Sequence, residues 1–252
     1  MVTIVMLVPL LLLYIQSEFG TQEGIAVPLP KLVVTLAAHE KTGTVVSGQL
    51  VDVLKAYTDV VHNFYWSPSK GQNDFAIEFV RNPFAMVMSA YYYHRACTEA
   101  IFSRPALGDD GYIPAIRALV GTNISFCKKL QSLPRRAGLR LQYNFTLQYP
   151  YPELVASLKA GDPLLRICLG SWIRDTPGQL RRISRVLGYT KYQETRILAE
   201  IYRLKRETLL HNPAHFSGYD KHYREDVRYL RQYDASQSGA LLDLERKLRC
   251  AM

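Results

Sequence analysis

The sequence lacks the patterns that mark several common kinds of functional site. Its cysteines are scattered without a Cys-x-x-Cys pair, which argues against a zinc site and against a dense disulfide scaffold. No recognisable RNA- or DNA-binding segment accompanies the net charge of +9, so the sequence favours no nucleic-acid partner. One or two disulfides are compatible with an oxidising compartment, but the sequence leaves their pairing open among Cys97, Cys127, Cys168 and Cys250.

The apolar run at the amino end is short. Residues 2–15 are almost wholly apolar, whereas a comfortable bilayer span needs roughly 20 such residues. The run has the length of a signal-peptide core, yet no lysine or arginine precedes it and the cleavage pattern after it is poor. We favour a secretory-pathway signal, cleaved or retained as a membrane anchor. The alternative is a buried strand or helix at the edge of the domain, which would fit a cytoplasmic protein.

Two N-glycosylation triplets support the luminal interpretation, and they begin at Asn123 and Asn144. Asn123 falls in a stretch with helical spacing, which disfavours its use. The length of 252 residues and the hydrophobic fraction of 48% are typical of one globular domain. We divide the chain into a signal or anchor with a short linker at residues 1–30 and a main domain at residues 31–252.

One stretch near the start of the main domain has the features of an anion site. Residues 32–38 form a short apolar run rich in β-branched residues, which predicts a buried strand. A polar turn, His39-Glu40-Lys41-Thr42-Gly43-Thr44, precedes helical spacing from Val45 onward. A strand, a tight turn and a helix direct backbone N–H groups and the positive end of the helix dipole toward an anion. Because Lys41 comes before Gly43, the order is not that of the nucleotide-binding P-loop, and an ATPase or GTPase is disfavoured.

A second stretch repeats this arrangement. Residues 75–80 read as a strand, and Arg81 follows at its end. Pro83 suits the first turn of a helix, and Ser89 lies about two turns from Arg81. A guanidinium group and a hydroxyl that converge there would bind a phosphate group.

These two segments together resemble those of sulfotransferases that use 3′-phosphoadenosine 5′-phosphosulfate (PAPS) as donor. The resemblance covers residues 32–54 and 75–95, and it implies an α/β fold of three layers, P-loop NTPase-like, with a central mostly parallel sheet flanked by helices. It implies that the 5′-phosphosulfate binds to Lys41, Thr42, Gly43, Thr44 and Val45, and the 3′-phosphate to Arg81 and Ser89. A late glycine-containing loop resembles the segment that closes over the donor, although it lacks the Arg-Lys-Gly core of the cytosolic enzymes; its candidate donor contacts are Ser217, Gly218 and Lys221.

The resemblance also implies a reaction. Lys41 would stabilise the bridging and sulfuryl oxygens, and no metal is required. A general base must remove the acceptor proton. His62 is our candidate by position, with His94, His39 and Glu40 as alternatives. Residues 100–112 and 139–151 are candidate segments for recognising the acceptor, for which a glycan or lipid-linked sugar is favoured.

Two other functions compete with this interpretation. A nucleotide or small-molecule kinase would need a Walker-type loop and acidic magnesium ligands. A non-catalytic member of the same fold would bind an anionic ligand without transferring a group, and the open assignment of the base keeps this alternative.

The remaining pattern predicts secondary structure only. Residues 111–133 are expected to be largely helical, residues 139–149 alternate like a strand or an extended loop, and residues 164–173 suit a late strand. Asp175 and Pro177 predict a helix start, and Gly188 predicts its end. Further helices are expected at residues 193–210, 224–233 and 238–250.

Overall fold

The protein is described here by a computed structural model, which covers residues 33–38, 44–63, 75–107, 111–159, 163, 165–211 and 222–250. In these ranges the chain forms an α/β fold whose strands make one all-parallel sheet in the order β2-β1-β3-β4. The strands are β1 (Val33–Ala38), β2 (Asp59–Asn63), β3 (Phe75–Val80) and β4 (Leu165–Cys168). The apolar run at residues 2–15 and the boundary at residues 30 and 31 lie outside the described residues.

The register of the sheet aligns the carboxyl ends of the strands. Ala38 at the end of β1 pairs with Phe79 of β3, and Val80 at the end of β3 pairs with Cys168 of β4. On the other side of β1, Leu36 pairs with His62 of β2. The described side chains of β1 are buried, as expected for apolar strands covered on both faces.

The described helices cover both faces of the sheet. They are α1 (Thr44–Leu54), α2 (Pro83–Arg95), α3 (Ala100–Ser103), α4 (Ile113–Val120), α5 (Phe126–Ser132), α6 (Arg135–Gln148), α7 (Pro150–Lys159), α8 (Leu169–Arg174), α9 (Thr176–Leu187), α10 (Lys191–His211), α11 (Tyr223–Ser236) and α12 (Ala240–Leu248). None of them is both long and apolar enough to cross a membrane.

Two groups of helices build the core on opposite sides of the sheet. Side chains of α1, α8, α9 and α10 pack on one face, against strand residues such as Leu36 and Phe79. On the other face, Val80 packs with residues of α2, α7 and α12. A separate aromatic-rich cluster joins α2 to α6 and α11. The layers are compatible with the expected three-layer sandwich.

Several sequence predictions are confirmed. The Asp175 side chain accepts a hydrogen bond from the Gly178 backbone N–H at 2.9 Å, and Gly188 ends α9 with a φ of 69°. The predicted helices at residues 193–210, 224–233 and 238–250 correspond to α10, α11 and α12. Residues 111–133 form two helices, because Gly121 with a φ of 76° interrupts them.

The prediction for residues 139–149 is wrong, because residues 139–148 belong to helix α6 rather than to a strand or an extended loop, and Tyr149 is its C-cap. The alternation of apolar and polar residues suggested a strand, but the buried side chains recur with helical spacing at Leu139, Gln142, Tyr143 and Thr146. The sequence fits the two-residue repeat of a strand as well as the 3.6-residue repeat of a helix. Packing against α2 and α11 therefore selects the helix. The predicted late strand at residues 164–173 is also too long, since β4 ends at Cys168 and α8 follows directly.

The four cysteines form two disulfides. Cys97 pairs with Cys127, and Cys168 pairs with Cys250. The first joins the end of α2 to α5, and the second joins the end of β4 to the segment after α12. All four cysteines are thereby oxidised.

Candidate functional site

The topology of the sheet places the carboxyl ends of β1 and β3 side by side, and we call the position outside these two ends the β1–β3 crevice. From β1 the chain passes through α1 to β2 on one side, while β3 lies on the other side of β1. Ligands of open α/β sheets bind outside the carboxyl ends of the strands, at the point where the chain direction across the sheet reverses. Because Ala38 and Phe79 are register partners, the segment after β1 and the segment after β3 leave the sheet at the same crevice.

The first predicted phosphate segment follows β1 in the sequence. Lys41, Thr42 and Gly43 lie outside the described residues, as do the candidate bases His39 and Glu40. Helix α1 begins at Thr44, which is partly exposed, and the Thr44 carbonyl accepts a hydrogen bond from Ser47 Oγ at 3.0 Å. The Val45 side chain is 41% exposed, so the start of α1 is accessible. The first N–H groups of a helix have no partner within it, and they carry its positive dipole end.

Arg81 follows the end of β3, on the other side of the same crevice. It is the first residue after that strand, and its side chain is only partly exposed. Burial lowers the pKa of the Arg81 guanidinium, and an electrostatic interaction with the Tyr223 hydroxyl opposes this shift. Arginine nevertheless remains a cation at neutral pH. A cation partly withdrawn from water at a strand end favours an anionic ligand.

Helix α2 carries Ser89 away from Arg81. Asn82 is the N-cap of this helix, and its side-chain oxygen accepts from the backbone N–H groups of Phe84 and Ala85 at 3.0 and 3.2 Å. Ser89 is partly exposed and lies about 9 Å along the helix axis from Pro83. The N–H groups of Phe84 and Ala85 are therefore occupied by the Asn82 cap, and Ser89 lies beyond this first turn in the middle of the helix.

The candidate bases fall in different places. His62 lies one residue before the end of edge strand β2, and its backbone pairs with Leu36 of the neighbouring strand β1. Only the backbone of His62 is described. This position is at the carboxyl side of the sheet, next to the strand that leads into Lys41.

His94 occupies the aromatic core. Its side chain is 1% exposed, its ring stacks on Phe102 with centroids 3.7 Å apart, and its Nδ1 lies 2.8 Å from Gln142 Oε1. Phe126 and Phe145 contact the same ring edge-on. A histidine enclosed in this way cannot approach an acceptor, so His94 is a structural residue in this fold.

The late loop is described only at its end. Ser217, Gly218 and Lys221 lie outside the described residues, but the chain that follows begins α11 at Tyr223. Burial raises the pKa of Tyr223, and the charge of Arg81 lowers it. Tyr223, which comes just after the predicted loop, therefore interacts electrostatically with Arg81.

A comparison of the chain with models of protein families finds no match. Comparisons with curated proteins and with solved structures find none either.

Two residues of the site were not predicted from the sequence. Asn82 directly before Pro83 is a typical start of a helix, and this signal could have identified Asn82 as the cap. Nothing in the sequence marks Tyr223, because its relation to Arg81 spans most of the chain. Among the described residues, no group of three or more His, Cys, Asp or Glu side chains is placed to hold a metal ion.

A second concave surface lies between the carboxyl end of α1 and helix α10. Asp52, Tyr57, Arg196 and Leu204 contribute to its lining. The charge of Arg203 at this surface is balanced by ion pairs with Glu200 and Glu207. Since both carboxylates and the guanidinium are largely exposed, these pairs contribute little binding or stability. Arg203 therefore serves as a comparison for Arg81, not as a second candidate.

Proposed function

We propose that this protein is a PAPS-dependent sulfotransferase that acts on an acceptor hydroxyl. The observation that supports the proposal most is the pairing of β1 with β3, which places the end of β1 at Ala38 beside the strand that leads into Arg81. A donor with phosphate at its 5′ and 3′ positions needs two anion sites, and the sequence predicts one after each of these strands. The proposal includes a P-loop NTPase-like form of the three-layer fold.

In the proposed reaction the acceptor oxygen attacks sulfur in line with the bond to the 5′-phosphate. The new S–O bond forms as the old one breaks, and 3′-phosphoadenosine 5′-phosphate (PAP) leaves with the bonding electrons. His62 takes the acceptor proton as general base. Lys41 stabilises the bridging and sulfuryl oxygens, while the 5′-phosphate is held by Thr42, Gly43, Thr44 and Val45. The scheme uses no metal.

The 3′-phosphate is assigned to Arg81 and Ser89, which follow the neighbouring strand. Ser217, Gly218 and Lys221 are assigned to the segment that closes over the donor, and the position of Tyr223 beside Arg81 supports this part of the proposal. The acceptor is a glycan or a lipid-linked sugar. Residues 100–112 and 139–151 are its candidate recognition segments.

Calorimetry with the full chain tests the donor assignment. We expect PAP to bind without a metal ion and more tightly than adenosine 5′-monophosphate (AMP), because AMP lacks the 3′-phosphate. Tighter binding of ATP with Mg²⁺ than of PAP would favour the kinase instead. No detectable binding of PAP would refute the proposal.

A transfer assay separates the enzyme from a non-catalytic member of the fold. We expect PAPS to be converted to PAP faster when a mixture of neutral and anionic glycans is present. Binding of PAP without any glycan-dependent conversion would support the non-catalytic alternative.

The disulfides support a location in the secretory pathway, in the Golgi lumen or at its membrane, with residues 2–15 as signal or anchor. Structural disulfides form and persist in oxidising compartments. This location predicts N-glycosylation, for which the structure offers two unequal sites. Asn123 is exposed in the segment between α4 and α5, whereas Asn144 is partly buried within α6.

We therefore expect secreted or Golgi-retained protein to carry a glycan at Asn123. The mass removed by peptide N-glycosidase should disappear in Asn123→Gln and persist in Asn144→Gln. Equal loss in the two variants, or no glycan on the wild type, would contradict this expectation.

A further inference from the structure

The residue after Arg81 is connected to the far end of the chain. The Asn82 carboxamide is 3% exposed, and its Nδ2 donates to Glu245 Oε1 at 2.5 Å and to the Cys250 carbonyl at 3.1 Å. Its Oδ1 caps α2 through Phe84 and Ala85. Asn82 thus uses both amide hydrogens and its oxygen, a combination that serine or aspartate cannot reproduce.

The Cys168–Cys250 disulfide links the contacts of the two residues that flank Arg81. We call this closed set of contacts the circuit. Val80, the residue before Arg81, is the register partner of Cys168. Asn82, the residue after Arg81, donates to the carbonyl of Cys250, which is bonded to Cys168 through sulfur. The residues on both sides of Arg81 therefore contact the two cysteines of one disulfide.

Helices α11 and α12 support this circuit from the same side. Arg231 of α11 donates to the Glu245 carboxylate that also accepts from Asn82. The Arg231 guanidinium lies over the Phe84 ring, 5.3 Å from its centroid. The first turn of α2, the end of α12 and the middle of α11 consequently meet next to Arg81.

We propose that the Cys168–Cys250 disulfide and Asn82 are positioning residues that hold Arg81 at the end of β3 for the 3′-phosphate of the donor. This inference rests on the proposed function. A binding group must be held close to its productive geometry, and the support comes from contacts of neighbouring residues. Here the support is a carboxamide and a disulfide, neither of which touches the ligand.

Three variants of the full chain test the proposal by calorimetry with PAP. Asn82→Ser keeps an N-cap acceptor but loses both Nδ2 donors, and Asn82→Ala loses the cap as well. The third variant is Cys168→Ser combined with Cys250→Ser. We expect Asn82→Ser and the disulfide variant each to weaken PAP binding about tenfold. Their combination should cost little more than either alone, because both act through one circuit.

Matched variants control for a general loss of stability. Cys97→Ser with Cys127→Ser removes the other disulfide, and Asp175→Ala removes the N-cap of α9, where Asp175 Oδ1 accepts from the Gly178 N–H. PAP binding is measured without denaturant, at a temperature at which the unfolding curve of each variant shows that it is fully folded. Wild-type affinity in Asn82→Ser, or equal losses in the test and control disulfide variants, would overturn the proposal.

Hydrogen exchange keeps the inference separate from the donor assignment. If the wild type does not bind PAP, the proposed function fails, and exchange at the Phe84 and Ala85 amides still tests the circuit. We expect these amides to exchange about tenfold faster in the Cys168/Cys250 variant and at the wild-type rate in the Cys97/Cys127 variant. Unchanged exchange in both variants would show that the disulfide does not hold this segment.

Discussion

Replacing Arg81 with alanine is expected to weaken binding of PAP by about 10²-fold while leaving binding of AMP nearly unchanged. The two ligands differ by the 3′-phosphate, so the difference isolates the contact that Arg81 is proposed to make. Hydrogen bonds between a guanidinium and a phosphate are charge-assisted, and they are worth about 1.5–3 kcal/mol when the site is partly closed to water. Arg81 meets that condition, because burial already lowers its pKa.

Calorimetry of PAP and AMP with the wild type and with Arg81→Ala measures the four affinities that this comparison needs. Arg81→Lys should lie between wild type and Arg81→Ala, since an ammonium retains the charge but not the planar pair of donors. Arg203→Ala is the matched control, because it removes an arginine whose charge is balanced by Glu200 and Glu207 on helix α10. A similar loss for PAP and AMP would mean that Arg81 supports the fold or the 5′ site rather than the 3′-phosphate.

Local patterns in the sequence predicted the framework of this site. The short apolar runs before His39 and before Arg81 became β1 and β3, and the helices after them begin at Thr44 and Pro83. Strand ends and helix starts depend on a few neighbouring residues, which is why they can be read from the sequence. The adjacency of β1 and β3 follows less directly, since it needs β2 to lie on the other side of β1.

Contacts between distant residues account for what the sequence did not reveal. The Asn82 side chain bonds Cys250 across 168 positions, and Cys168 pairs with Cys250 across 82. Neither separation leaves a local signal. The same limit applies to His94, where a histidine near the end of a helix resembled a candidate base until Phe102 and Phe126 were seen to enclose it. In residues 139–149 tertiary packing selected a helix from a pattern that alternation alone could not distinguish from a strand.

The strand that presents Arg81 also contains a buried charge. Glu78 of β3 is 1% exposed, and it forms an ion pair with Arg166 Nε at 2.7 Å. Arg166 is its register partner on β4, and Ser157 of α7 donates a further hydrogen bond to the same carboxylate. The pair therefore joins β3 and β4 to the helical layer on one face of the sheet, three residues before Arg81.

Replacing Arg166 with methionine is expected to lower the free energy of unfolding by about 3–5 kcal/mol, because the Glu78 carboxylate would remain buried without its cation. Urea denaturation of the purified protein measures this change. Glu78→Gln combined with Arg166→Met should recover most of the loss, since a neutral amide can still accept from Ser157 and no charge is left uncompensated.

Arg203→Ala provides the comparison for an exposed arginine. It breaks two ion pairs at once, yet it should change the free energy of unfolding by less than about 1 kcal/mol, because water solvates all three partners. If Arg166→Met were no more costly than Arg203→Ala, the Glu78–Arg166 pair would contribute nothing beyond a surface pair. If the double variant were as unstable as Arg166→Met alone, the cost would come from lost packing of the arginine stem rather than from the isolated carboxylate.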